Sequence, residues 1–196
     1  MRPGSPSLPG FGFSAAPPPT GVTAREVARL WHALMTTGLG HERYVAHGSD
    51  LGAGITAWLA REPTATVGRH GQTIEDSDSE SSLSADGGPA FDRELLLSTL
   101  TLYWVTGTIT TSLLPYWAYR HGAAAALPVD DPSGVPTLVS IFAGERVPFP
   151  KPPRELAERY YAVASWSEYP IGGHFPAVAE PELLARILRD AFRSAR

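Results

Sequence analysis

The sequence predicts an α/β fold built around a parallel sheet, with a length of 196 residues that suits one domain. Residues 43–70 read as a strand, a helix and a second strand, an order that implies a right-handed crossover and parallel pairing. The continuous apolar run 135–142 is rich in β-branched residues, as in a parallel strand buried on both faces. With a last short strand from Trp166 to Tyr169, these runs predict a sheet of about four strands.

The chain begins with a loop, because residues 1–21 are rich in proline and glycine. Thr23 and Glu26 then have the spacing of a capping box, which predicts the start of a helix. Apolar residues recur at helical spacing to about Thr37, and Gly38 is expected to end the helix.

A strand from Arg43 to Gly48 runs into a small-x-Asp-x-small turn and then into a helix at 51–61. One interpretation is a nucleophile elbow, in which small flanks at Gly48 and Gly52 let a strained turn expose Asp50. A carboxylate there would attack carbon, since it needs no base to be nucleophilic at neutral pH. The other interpretation is that Asp50 simply caps the helix that follows. This segment alone leaves both open.

The middle of the chain changes character at residues 71–90, which are acidic and serine-rich and predict a disordered linker, with a solvated loop as the competitor. Asp92 is expected to cap a leucine-rich helix, and a second helical piece follows through Pro115. The predicted organisation is a partial core with the elbow at 1–70, the linker at 71–90, a reduced helical cap at 91–121 and the remaining core at 122–196.

Three residues with suitable chemistry follow predicted strands: Asp50, Glu145 and His174. Function in an open parallel sheet gathers at the carboxyl ends of the strands. The chain order nucleophile, acid, histidine is that of the α/β-hydrolase triad, and the glycines before His174 would let a loop bring the imidazole over the elbow. A helix from Pro153 to about Tyr161 and an amphipathic helix from Pro181 complete the predicted elements.

Composition argues against several classes of function. The net charge of -4 and the lack of a basic stripe argue against nucleic acid or an anionic membrane surface as partners. The absence of cysteine excludes disulfides and thiolate metal sites, the scattered histidines predict no metal centre, and the triad needs no cofactor. Gly107 and Pro115 interrupt the apolar stretch 95–119, which predicts buried helices rather than a membrane span. Without a visible secretory signal, a cytoplasmic location is expected.

Four separated motifs resemble the microsomal-type epoxide hydrolase family, which has the α/β-hydrolase fold, and they occur in the family's order: 7–14 (SLPGFGFS), 47–50 (HGSD), 102–109 (LYWVTGTI), and 172–175 (GGHF) with 180–184 (EPELL). The resemblance implies a role in epoxide detoxification, with an epoxide and water as substrates. By the resemblance, Asp50 is the nucleophile, His174 the base that activates water, and Glu145 its acid partner. Tyr116 would be a lid tyrosine that hydrogen-bonds the epoxide oxygen, and the backbone N–H of Leu51 would help to form the oxyanion hole.

The sequence also departs from the family pattern. It starts at a loop that in the family follows the first strands, so the expectation is a truncated member without the His-Gly-x-Pro loop, and residues 71–89 stand in place of much of the cap. Loss of neighbouring strands would leave 43–48 as a sheet edge, which suggests homo-oligomers or a non-catalytic remnant that serves as an interaction module. A haloalkane dehalogenase-like activity is a further alternative. It is weakened by Leu51, where a tryptophan would help to bind halide, and by the absence of asparagine.

Overall fold

The computed structural model describes residues 4–62, 93–121, 126–144 and 151–193. The chain divides into two compact units, Met1–Val27 with Ala90–Ala126, and Ala28–Pro89 with Leu127–Arg196. The elements of the described residues are α1 (Ala24–Ala33), a π-helical turn (Leu34–Gly38), α2 (Leu51–Leu59), α3 (Arg93–Thr106), α4 (Ile109–Ser112), α5 (Leu114–Arg120), β1 (Ser133–Phe142), α6 (Arg154–Glu158), β2 (Tyr161–Tyr169), α7 (Pro176–Ala179) and α8 (Pro181–Arg193).

The first unit packs the amino-terminal loop on the short helices α4 and α5. Thr111 donates its hydroxyl to the carbonyl of Gly10 at 2.6 Å. Gly21 has a φ of +73°, and a Cβ built on it would lie 2.7 Å from the carbonyl oxygen of Leu114. Glycine is therefore required at this close approach. The loop predicted to precede the core thus shares a compact unit with the predicted cap helices.

The apolar residues of helix α3 are distributed around its circumference among serine and threonine residues, and none of its residues is buried. The side chains of Leu97, Leu100 and Trp104 are among its exposed apolar groups, with Trp104 88% exposed. The sequence predicts buried cap helices here, and the difference arises because the described residues supply no apolar surface that covers α3. No helix in the described part of the chain is long and apolar enough to cross a membrane.

Helix α1 begins with the predicted capping box. The Thr23 backbone N–H donates to the Glu26 carboxylate at 2.7 Å, and the Glu26 N–H donates to the Thr23 hydroxyl at 3.2 Å. These reciprocal bonds satisfy N–H groups that a helix start otherwise leaves without acceptors. The helix passes into the wider π turn and ends at Gly38, as predicted.

Strands β1 and β2 pair in parallel, with Val139 opposite Trp166 and Phe142 opposite Tyr169. Strand β2 is longer than the predicted strand because its β-favouring residues begin at Tyr161. Helix α6 accordingly ends at Glu158, earlier than predicted. Val139, Ile141 and Phe142 are buried, which confirms the prediction of a buried parallel strand.

The other two predicted strands are not present in the described residues. The segment 43–48 joins no ladder with any described residue, and its predicted neighbour at 64–70 lies outside them, so a strand at 43–48 stays a prediction. Its anchor is a side-chain contact, in which the Tyr44 hydroxyl and His32 Nδ1 hydrogen-bond at 2.8 Å. Burial and the Glu62 carboxylate raise the pKa of Tyr44 to about 12, so the phenol stays protonated. The predicted strand 64–70 and the predicted linker 71–90 lie outside the described residues.

Arg61 joins the end of the elbow helix to residues that precede both strands. Its guanidinium donates to the carbonyl of Ala57 at 3.3 Å, to that of Asp131 at 3.2 Å and to that of Tyr160. The Nε atom is buried and has no hydrogen-bond partner in the described part of the chain. Three carbonyls from separate parts of the sequence thus converge on one cation.

Candidate active site

The turn between segment 43–48 and α2 places Asp50 in a strained conformation. Its φ of 50° and ψ of -129° lie outside the regions that ordinary side chains adopt. Its carboxylate makes no capping hydrogen bond to the helix that it precedes. Of the two interpretations that the sequence leaves open, this geometry favours the elbow over the helix cap.

Gly48 allows the turn to close. A Cβ built on Gly48 would lie 2.1 Å from the carbonyl oxygen of Gly52, a distance that no real side chain tolerates. A Cβ on Gly52 would meet no described atom within 4 Å. The sequence predicts that both small flanks are needed, but the steric requirement falls on Gly48 alone, because there the side chain would point at the first turn of α2.

A second pair of glycines brings the histidine loop against the end of β1. A Cβ on Gly144 would lie 2.2 Å from the carbonyl oxygen of Gly172. Gly172 has a φ of +88°, and its own Cβ would lie 2.6 Å from the ring of Phe142. Residues after the two strands are thus in backbone contact. The glycines before His174 were predicted from sequence to shape this loop, but Gly144 was not, and its signal was its position directly after the apolar run of β1.

These loops bring Asp50 and His174 together. His174 Nε2 lies 3.3 Å from Asp50 Oδ2, although 124 residues separate the two in sequence. The imidazole is 3% exposed and packs edge-on against the Phe175 ring, whereas the carboxylate is 37% exposed. An accessible carboxylate beside a buried imidazole can both attack a bound molecule and exchange protons through a neighbouring base.

The remaining predicted site residues are placed differently. Glu145 lies outside the described residues, one position after Gly144. Tyr116 lies on α5 in the first compact unit with 49% of its surface exposed. Leu51 is the first residue of α2, where backbone N–H groups have no acceptor within the helix. The catalytic roles of these residues stay predictions.

His47 is a half-buried residue near the elbow, and the sequence predicts a structural role for it. Burial lowers the pKa of its imidazole, which favours the neutral form. Its Nδ1 atom has no hydrogen-bond partner among the residues that the structure describes. Those residues contain no cluster of histidines and carboxylates that could hold a metal ion.

Comparison with known proteins relates the chain to epoxide hydrolases. It is 28% identical over 252 residues to a protein of Stigmatella aurantiaca that carries this name, covering 97% of this chain and 56% of the relative. Epoxide hydrolase 1 of Sus scrofa is 30% identical over 149 residues, covering 72% of this chain and 29% of the relative. No protein-family model matches the chain.

Solved structures give the same relationship. Juvenile hormone epoxide hydrolase of Bombyx mori superposes with a TM-score of 0.77 at 26% identity, covering 97% of this chain and 59% of that one. The Aspergillus niger epoxide hydrolase gives a TM-score of 0.74 at 17% identity, covering 97% and 62%, and so shows the fold alone. The resemblance and the α/β-hydrolase fold predicted from sequence are confirmed. The chain spans about half the length of several curated relatives that it matches over almost its whole length.

Proposed function

We propose, from this homology to the epoxide hydrolases, that the chain opens an epoxide to a vicinal diol through an ester on Asp50. The observation that carries the proposal is the 3.3 Å approach of His174 Nε2 to the carboxylate of Asp50 at a strained turn. Strained backbone at a turn is common where a reactive side chain is held in place. A nucleophile next to a base is the arrangement that covalent catalysis uses.

In the first half-reaction, an oxygen of Asp50 attacks one epoxide carbon and forms a C–O ester bond. The bond from that carbon to the epoxide oxygen breaks, and its electron pair stays on the oxygen. Tyr116 donates a proton to this oxygen, as the family resemblance implies. The product is a hydroxyalkyl ester of Asp50, and the exposed carboxylate leaves room for the substrate carbon.

In the second half-reaction, His174 takes a proton from water, and the hydroxide attacks the ester carbonyl carbon. The tetrahedral oxyanion is stabilised by backbone N–H groups that include that of Leu51. Collapse of this intermediate breaks the bond between the carbonyl carbon and the alkoxide and leaves Asp50 as a carboxylic acid, which releases its proton to solvent and becomes a carboxylate again. The proton on His174 goes to the departing alkoxide, and Glu145 orients the imidazole. Tyr116 regains its proton from solvent.

Mass spectrometry of the intact protein tests this scheme with a small aryl epoxide. His174→Gln is expected to gain one substrate mass and keep it, because ester formation does not need the base. Asp50→Ala is expected to gain no mass. In ¹⁸O water, one turnover of the unchanged protein should put the label into the Asp50 carboxylate, since water attacks the ester carbonyl.

Folded protein that gains no mass and forms no diol would contradict the proposal and favour a non-catalytic interaction module. Label that enters the diol directly in the first turnover, with none on Asp50, would show that water attacks the epoxide without an ester. A circular dichroism spectrum for each variant separates loss of chemistry from loss of fold.

A further inference from the structure

We propose that two copies of this chain pair through the outer edge of β2, as antiparallel strands related by a two-fold axis at Ser167. Strand β2 pairs with β1 on one side, and no described residue pairs with its other side. An open strand edge presents backbone N–H and C=O groups that readily pair with another strand. The sequence predicts an open edge at 43–48, a segment that joins no ladder with any described residue.

The register of β2 shows which groups face outward. The carbonyl of Tyr169 accepts a hydrogen bond from the Ala143 N–H at 2.8 Å, so the backbone groups of Tyr169 point toward β1. Neighbouring residues in a strand direct these groups to opposite sides. The backbone groups of Ser167 therefore also point toward β1. Those of Trp166 and Glu168 point to the outer edge.

Two features limit the usable edge. Thr137 lies opposite Val163 and the next residue, Leu138, lies opposite Ser165, so Ala164 has no partner in β1 and forms a bulge. This bulge reverses the alternation, which is consistent with the Tyr160 carbonyl accepting from the Ser133 N–H. At the other end, Pro170 offers no N–H. The regular outward groups between bulge and proline are those of Trp166 and Glu168.

One antiparallel register uses all of these groups. With Ser167 on the two-fold axis, Trp166 lies opposite Glu168 of the second copy, and each such pair exchanges two backbone hydrogen bonds. A register centred on Trp166 would bring Glu168 opposite the bulged Ala164. A register centred on Glu168 would place the two Glu168 carboxylates opposite each other, which costs stability. It would also place each Trp166 opposite Pro170 of the second copy, which has no N–H to donate. The edge is thus self-complementary about Ser167.

The side chains also favour this register. The Trp166 indole N–H donates to the Glu168 carboxylate within one chain at 3.1 Å. In the paired form, each indole also faces the carboxylate of the second copy, so the charge lies opposite a donor. The outer edge carries no lysine, which is a common means of preventing edge pairing. These properties select a second copy of this chain over an unrelated strand.

Disulfide trapping tests the axis directly, because the chain contains no cysteine. Ser167→Cys is expected to form a covalent dimer under mild oxidation, since residues opposite each other in a non-hydrogen-bonded pair have Cα atoms about 4.5 Å apart, within disulfide range. Ser165→Cys is the matched control. Its two copies would lie about 13 Å apart along the strands, too far for a disulfide.

Sedimentation velocity of the unchanged chain at about 100 µM should report a dimer, and Glu168→Pro should shift it to monomer. This proline removes an outward N–H and leaves the bonds to β1 intact. Glu168→Ala keeps the N–H and should keep the dimer, which separates the backbone bond from the carboxylate. A monomeric unchanged chain, or a dimer that persists in Glu168→Pro with no cross-link at Ser167, would overturn the proposal.

Discussion

The elbow and histidine loops are fixed by backbone contact, whereas helices α3 to α5 present apolar side chains to solvent. At the site, Gly48 and Gly144 lie so close to neighbouring carbonyls that no larger residue fits. On α3, by contrast, no residue is buried, and the side chain of Trp104 is 88% exposed. The backbone contacts of the first region require glycine, which has no side chain. The second region instead has apolar side chains that lie in solvent.

This difference teaches where sequence change should matter. A methyl group added at a glycine contact forces backbone apart, and packed structure transmits that shift. The loss of an exposed apolar side chain removes few contacts and leaves solvent in its place. Tolerance should therefore be low around Asp50 and high along α3, although α3 is the region with many exposed apolar side chains.

The largest expected effect is that of Gly48→Ala. Its Cβ would lie 2.1 Å from the Gly52 carbonyl oxygen, so the turn must open. We expect the free energy of unfolding to fall by about 3 kcal/mol. The yield of the Asp50 adduct at a fixed time should fall by at least about tenfold. Urea denaturation and intact-protein mass spectrometry measure the two quantities.

Gly52→Ala is the matched control for this substitution. Its Cβ meets no described atom within 4 Å, and alanine favours a helix over glycine by up to about 1 kcal/mol. Unfolding free energy should therefore stay equal or rise. Equal losses at Gly48 and Gly52 would show that the turn responds to helix propensity and not to the close approach.

Much of this architecture could be predicted from sequence, for physical reasons that differ by element. The capping box at Thr23 and the buried strand at 135–142 follow from local patterns, which is why both were confirmed. Asp50 and His174 could be paired in advance only through chain order and the family resemblance. The contact of Gly144 with Gly172 could not be predicted, because a glycine has no side chain whose chemistry indicates its partner.

An intermediate effect is expected from pH at His47. Burial lowers the pKa of His47 in the folded chain, whereas in the unfolded chain this pKa is about 6.5. Below about pH 6.5, the unfolded chain therefore binds a proton at His47 more readily than the folded chain does. The contribution of His47 to the free energy of unfolding is fully present above about pH 6.5. It is lost as the pH falls toward the pKa of His47 in the folded chain. The slope from this one group is at most about 1.4 kcal/mol per pH unit.

His47→Gln should flatten that part of the stability curve. Urea denaturation of both proteins between about pH 7.5 and 5 measures the difference, in which contributions from carboxylates largely cancel. An unchanged slope would show that His47 opens to solvent and takes up its proton in the folded state.

The smallest effect is expected for Trp104→Ser on α3. Because the indole is 88% exposed, unfolding free energy should change by less than about 0.5 kcal/mol. The control is Ala118→Leu on α5, a buried position that should lose about 1 to 3 kcal/mol through overpacking. A loss of more than about 2 kcal/mol for Trp104→Ser would mean that this helix face is covered in the folded chain.

The long-range contacts of Arg61 and of Asp50 both form late during synthesis, because their partners lie far along the chain. The carbonyl partners of Arg61 at Asp131 and Tyr160 follow it by 70 and 99 residues, and His174 follows Asp50 by 124. At ribosomal rates of about 5 to 20 residues per second, Asp50 emerges roughly 6 to 25 s before His174, and Arg61 emerges roughly 5 to 20 s before Tyr160. Until Tyr160 has emerged, Arg61 cannot complete its carbonyl contacts, and until His174 has emerged the turn at Asp50 is accessible to chaperones.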